Sequence, residues 1–553
     1  MDQVRLILAI ALSFLVFMVW NFFFVDKTKV EQPQPVKQAQ QETTNEGTTP
    51  DNVEADVEPA PLSEEMPLQP DRPTKTITVN LPLYTVKISE KGAAFKSFVL
   101  KKYREKIDAD SPFLEMISQD LPDGTVRLGF TDNSLNGFKQ AIFVSDIEDD
   151  AIDVLNEPRE ITFSWTSPQG VVVIKKFLFS PNTYLIGLRV IIQNGSDQTF
   201  RDNLTLSLSR TEPETASRIG FEGPSIYIND ELEQIKTKKI KDKSVYSGQI
   251  KWISIQDRYF ISAIIPEEPI EASVNLDFEE KKLLQNHYVQ PVSVIEPETR
   301  KTYKYELFFG PKSMKVLQGI GYDLNKAVNF GMFDLLAKPC VWIMNFIYNH
   351  FIPNYGVAII ILTLLTKIVL WPLGNKSYKS MNEMKKIQPL VAELREKYKD
   401  DKKRMNEEMM GLYKTYKVNP AGGCLPMVVQ IPVFFALYRM LYEAIELRHA
   451  PFFLWITDLS APDRLFRFNI EHIPFMQPPY GIPVLTIIMG VTMFLQQKMQ
   501  PPAGDPTQAK MMMMMPIVFT VIFVNFSSGL VLYWLINNIV SIGQQYYISK
   551  KKA

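Results

Sequence analysis

Where the apolar residues fall constrains this chain more than any other feature. Residues 6–25, LILAIALSFLVFMVWNFFFV, form a 20-residue run with no charge. As a helix, such a run crosses the roughly 30 Å hydrocarbon core of a bilayer. It is long, ends in aromatics and has no small-x-small cleavage site before Asp26. An uncleaved anchor therefore fits better than a cleavable signal peptide. The apolar residues gather again only after about residue 340.

Between these two concentrations the chain changes character twice. Residues 26–75 hold no aromatic residue and many Pro, Gln, Glu and Thr. Such a stretch buries too little apolar surface to offset the entropy of ordering, and it is expected to be a disordered tether. Residues 76–312 then show short alternating runs: Ile77, Thr78 and Val79; Tyr84 to Ile88; Leu204 to Leu208. Turn signals separate the runs, as at Ser167, Pro168, Gln169 and Gly170 and at Asn194 and Gly195. This patterning predicts an all-β domain of sandwich size.

The remainder reads as helices. Residues 313–350 are a linker followed by an apolar, aromatic segment (333–348) that Pro339 interrupts. It is too short to span, and Trp342, Phe346 and Tyr348 suit a helix lying in the membrane interface. Spans are expected within 351–374, 420–443 and 481–498, with two more in 512–547 that must form a tight hairpin around Ser527, Ser528 and Gly529. The segment 375–419 carries twelve lysines and arginines, whereas 444–480 carries only Arg448, Arg464 and Arg467. The positive-inside bias then places 375–419, the loop 499–511 and the basic tail 548–553 in the cytoplasm, and 444–480 outside. Six spans with both termini inside put the β domain in the periplasm.

Several function classes are excluded or disfavoured. A net charge of −1 points to no sequence-specific nucleic-acid binding. Cys340 and Cys424 have no partners at metal-ligand spacing. The four histidines are scattered, and no P-loop, HExxH or G-x-S-x-G motif occurs. No cofactor is expected. A secondary transporter would show inverted repeats, and a carbohydrate enzyme would need paired carboxylates in the β domain; neither feature is visible.

The residues that draw attention are polar ones inside apolar spans. Lys367 lies thirteen residues into its span, where a charge costs about 2.5–3.5 kcal/mol on insertion scales. Two readings fit it: a functional cation facing water, or a lysine that snorkels to the cytoplasmic interface two turns away. Thr363 precedes it by one turn on the same face. Gln430 interrupts the next span, and Tyr533, Asn537 and Ser541 make an i, i+4, i+8 stripe on the last. Helix–helix hydrogen bonding is the plainer explanation. No span offers a mid-membrane acid to pair with Lys367, which favours a hydrated groove.

The segment 375–419 is itself patterned. Met384, Ile387, Val391, Leu394 and Tyr398 share one helical face, and Met405, Met409, Leu412 and Tyr416 another, with a turn at residues 399–402. The expected helical hairpin either packs on itself or offers a Met-rich surface that adapts to varied apolar segments. Both can hold at once.

The stretches LTKIVLWPL, IQPL, VNPAGGCLPMVVQIP, LYRMLYEAIELRHAPFFLWITDLS, GVTMFLQQKM and FSSGLVLYW resemble the YidC family of membrane insertases, continuously over residues 333–547. The order anchor, tether, β domain is similar to the Gram-negative form. The resemblance implies a multi-domain chain, polytopic and α-helical, with six transmembrane helices, a five-helix core, and an all-β periplasmic sandwich related to sugar-mutarotase folds. It implies no enzymatic activity. It also implies a hydrophilic groove open to cytoplasm and lipid, bordered by Thr363, Gln430, Tyr533 and Trp534. The family's groove arginine matches Lys367, so the charge is kept while the bidentate fork is lost. Implied partners are nascent membrane proteins, the Sec translocon (SecYEG, SecDF), the ribosome and membrane lipids.

Overall fold

A computed structural model describes residues 74–550, apart from 122, 212–219, 280–281, 419–424, 469, 471 and 500–505. The expected anchor, almost all of the tether, Cys424 and the end of the basic tail lie outside the described residues.

Strands fill 76–311, as the alternating pattern predicts. A five-stranded sheet runs in the order Phe113–Glu115, Ala94–Arg104, Tyr84–Ser89, Thr76–Asn80, Ala151–Asp153. It packs on a thirteen-stranded sheet whose long central members are Val171–Phe179, Leu185–Asn194 and Thr299–Pro311. The two inner faces meet through aromatic rings. Phe95 lies 5.2 Å from Phe177 and 5.7 Å from Phe309, and Phe98 lies 4.9 Å from Phe309. This is a β-sandwich, driven together by burial of alternate side chains. Gly170 closes the expected turn at φ 89°, its amide donating to the Ser167 carbonyl.

The strand Val171–Phe179 shows what a strict period of two dictates. Val171, Val173, Phe177 and Phe179 point inward, and so must Lys175. Its ammonium is fully buried and donates to the carbonyls of Ala93 (2.7 Å), Val126 (3.0 Å) and Gly92 (3.2 Å). Ala93 and Val126 both have positive φ. Lys175 thus pins two positions of left-handed backbone, one before strand Ala94–Arg104 and one before Arg127–Phe130. Burial, with Arg127 adding to it, pushes its pKa down to about 7.

Among the described residues eight α-helices follow: α1 Met314–Ile320, α2 Asp334–His350, α3 Tyr355–Lys397, α4 Lys402–Thr415, α5 Leu425–Glu443, α6 Val484–Met499, α7 Pro506–Phe523 and α8 Ser528–Lys550. By length and composition α3 is long and apolar enough to cross a membrane, and Val484–Met499 and Met512–Phe523 are shorter apolar helices. The expected span and the first arm of the expected hairpin are one 43-residue helix, α3. Pro372 and Pro389 sit inside it without ending it. Hydropathy falls near residue 374, but the helix runs on through it. α8 is the hub, packing on α3, α5 and α6, while α2 packs on α3 and α5.

The sandwich joins the helices through specific polar contacts. Arg258 Nε donates to the Tyr442 carbonyl at 2.6 Å, and its guanidinium lies 3.5 Å from the Tyr442 ring centroid. Arg448 donates to the Arg104 carbonyl at 2.6 Å. Ser313 Oγ donates to Glu446, whose carboxyl burial pushes up in pKa.

Candidate functional site: a polar seam between helices

The seam is built from α3, α5 and α8. Lys367 is half-buried on α3, and its Nζ donates to Ser541 Oγ on α8 at 2.8 Å. Ser541 Oγ in turn donates to the Asn537 carbonyl one turn back at 2.7 Å. The Asn537 side-chain oxygen accepts from Gln430 Nε2 of α5 at 2.7 Å. Gln430 also meets the buried Tyr533 hydroxyl. A continuous polar path therefore runs from Lys367 through Ser541 and Asn537 to Gln430 and Tyr533. The i, i+4, i+8 stripe makes this possible, because residues 533, 537 and 541 share one face of α8.

Two of the sequence-derived candidates stand apart from that path. Thr363 is buried and its hydroxyl donates to the Ile359 carbonyl of its own helix at 2.7 Å, so it turns no free polar group toward Lys367. Trp534 lies about 100° round α8 from Tyr533 and joins an aromatic wall. Its ring lies 4.7 Å from Phe434, 5.1 Å from Phe523 and 6.0 Å from Phe519.

The seam extends further toward the C-terminal end of α8 than those candidates suggest. Gln544 Nε2 donates to Asn375 Oδ1 at 3.0 Å and to the Trp371 carbonyl at 3.3 Å. A Cβ at Gly374 would lie 2.8 Å from that amide nitrogen, so glycine leaves room for the Gln544 side chain in this position. Tyr378 donates to the Ser541 carbonyl at 3.5 Å. Gln544 follows Ser541 by three residues, so continuing the stripe along α8 would have found it.

In the basic segment, Ile387 and Val391 are buried, and Met384, Leu394, Met405, Met409 and Leu412 are half-buried. α4 folds back on α3. The strongly exposed apolar side chains of this hairpin are Met410 and Tyr416. Among the described residues no cluster of His, Cys, Asp or Glu is placed to hold a metal ion.

A sandwich carried on apolar helices, with amides, hydroxyls and a lysine gathered in an interhelical seam, defines an α-helical membrane protein with an all-β domain. The family profile described as YidC periplasmic domain matches residues 76–343, and that of the 60Kd inner membrane protein matches 346–553. A membrane protein insertase YidC of Syntrophus aciditrophicus is 40% identical over the full length of both chains. Its counterpart in Syntrophobacter fumaroxidans is 41% identical over 99% of both. The chain belongs to the YidC family of membrane protein insertases. A solved structure titled as an active YidC insertase with its first transmembrane domain resolved overlaps 86% of this chain and 93% of its own, at 19% identity and a TM-score of 0.37. That overlap is too loose to add to the sequence relationship.

Proposed function

We propose that this chain inserts membrane proteins into the cell inner membrane without enzymatic chemistry, using the Lys367 seam as the transient host for the polar flank of a substrate. The observation that carries the reading is the path from Lys367 to Gln430, which keeps one cation and several amides half-buried among apolar helices. Family membership supports the coarser part of the reading, membrane protein insertion.

The mechanism follows from dielectric and burial. A charged or amide-bearing flank loses its hydration on entering hydrocarbon, at a cost of several kcal/mol. Groups that replace water part-way across shorten the unfavourable path. Lys367 adds attraction for acidic flanks, and Gln430 and Asn537 supply both donors and acceptors. The hydrophobic segment then leaves sideways into lipid, gaining about 0.8 kcal/mol per buried CH₂.

In this reading the anchor, α3, α5, α6, α7 and α8 are the six spans, with both termini cytoplasmic and the sandwich periplasmic. The α3–α4 hairpin receives the incoming segment. Its Ile387 is buried and its Met384, Leu394, Met405, Met409 and Leu412 are partly covered at rest, so capture begins at Met410 and Tyr416 and opens the rest. The ribosome, the Sec translocon (SecYEG, SecDF) and membrane lipids are the proposed partners.

The test replaces Lys367 with Ala, Glu and Arg, and measures insertion of a short-tailed substrate into vesicles depleted of the wild-type protein. Loss with Ala and Glu but activity with Arg is expected. Normal insertion by Lys367→Ala would sink the role given to the cation.

A further inference from the structure

Among the described residues, three of the most exposed apolar side chains are Leu454 (87% exposed), Phe475 (80%) and Phe466 (69%). All three sit at positive φ, at 57°, 63° and 50°. Bulky residues are strained in that region. Phe466 sits at the bulge of strand Leu465–Phe468, which pairs with Tyr480–Ile482, and neither it nor the two loops carrying Leu454 and Phe475 is loosely held. Arg464 donates to the carbonyls of Pro479 (2.9 Å) and Val524 (2.8 Å), and Asn525 Nδ2 donates to the Phe475 carbonyl at 2.8 Å. The Phe452 amide donates to the Ile456 carbonyl at 2.9 Å, closing the loop that carries Leu454. The fold thus spends backbone strain and hydrogen bonds to hold apolar tips outward.

We propose that Leu454, Phe466 and Phe475 are pegs seated in the lipid of the outer leaflet, fixing the outer end of the helical bundle at a set depth. The proposal rests on the membrane placement given above and goes beyond it, since the pegs lie in the segment 444–480 and outside every span. Continuity favours lipid as the occupant. Phe466 and Phe475 stand beside the start of α6 and the end of α7, where Ile487, Ile488, Val521 and Ile522 are exposed. Leu454 stands beside the start of α3, because Asn354 donates to the Phe452 carbonyl at 3.4 Å, and there Phe351 and Ile352 are exposed. The tips therefore crown two different groups of helix ends, which one lipid surface covers together. Exposed Arg467, between Phe466 and Phe468, suits anionic headgroups.

The experiment places single cysteines at Leu454, Phe466 and Phe475 in the full chain, with Cys340 and Cys424 replaced by serine. Each is labelled with an environment-sensitive fluorophore in phospholipid vesicles. Val491→Cys, on the exposed face of α6, marks the membrane interior and is read with lipids spin-labelled along the acyl chain, and Leu155→Cys, exposed on the sandwich, marks water. The peg labels should be quenched several-fold more than the Leu155 label by lipids spin-labelled near the headgroup, and protected from aqueous iodide. Quenching no greater than at Leu155, with Val491 quenched, overturns the pegs and leaves the membrane placement standing. Protection from iodide without lipid quenching means a protein covers the tips, and also overturns the proposal. No quenching at Val491 would overturn the membrane placement together with the pegs.

Discussion

Lys367 Nζ donates to Ser541 Oγ at 2.8 Å, joining two helices at positions 174 residues apart. The lysine is thereby tied to the polar stripe of α8, one helical turn from Asn537. The hydroxyl both receives from the ammonium and donates to the Asn537 carbonyl, so its removal affects the whole path.

Ser541→Ala should therefore lower insertion of a short-tailed substrate, and by less than Lys367→Ala, because the charge remains and only its direction is lost. Interhelical hydrogen bonds in membranes are worth about 0.6 kcal/mol on average, so a few-fold effect is expected. Ser541→Thr should restore it. Protease protection of the substrate tail in vesicles measures each variant.

Gln430 and Asn537 share one hydrogen bond of 2.7 Å, so their alanine variants should be non-additive. A double-mutant cycle on thermal unfolding in detergent should give a coupling of roughly 0.6–1.7 kcal/mol. Strict additivity would mean that the two side chains do not meet in the membrane-embedded protein.

The sandwich is tied to α5 by Arg258, which both donates to the Tyr442 carbonyl and stacks on its ring. Arg258→Ala should raise the rate at which a protease cuts the connection between sandwich and helices. Arg258→Lys should rescue only in part, since an ammonium lacks the planar stack. Limited proteolysis of the purified full chain reads both. Equal cutting of all three forms would remove this residue from the junction.

Lys175 predicts a pH dependence of known sign. Folded, it gives up its proton near pH 7; unfolded, it keeps it up to the ordinary lysine value of 10.5. Between these values the unfolded chain holds more protons, so stability rises with pH, and below about 7 the gain is gone. The stability of wild type relative to Lys175→Met should therefore rise from pH 7 to pH 10. Near pH 10 the Met variant should be weaker by about 1–3 kcal/mol, because buried carbonyls lose their donor. Pulse proteolysis of the sandwich in the full chain, across that pH range, tests this. A constant difference would mean that Lys175 does not titrate in the folded state.

Much of this was legible in the chain. Alternation over 76–311 foretold the sandwich, because a period of two leaves one face to bury, and it forces Lys175 inward even though lysine itself argues against it. The stripe Tyr533, Asn537, Ser541 and the isolated Gln430 foretold polar groups on facing helices. The pairing was not legible. Thr363 lies one turn from Lys367, yet its hydroxyl bonds its own backbone; Gln544 goes unremarked in the sequence but crosses to α3 because Gly374 makes room.

The sequence by itself determined which segments are apolar, which face of each element is polar, and the charge asymmetry between connecting segments. These properties depend on neighbours along the chain, three or four residues away in a helix and two in a strand. Tertiary structure alone decided that α3 continues unbroken into the basic hairpin, that Ser541 receives the lysine, and that Leu454, Phe466 and Phe475 are held outward. Each of those outcomes depends on distance between residues remote in sequence, set by how side chains of different helices and loops fit together, and no local pattern contains it.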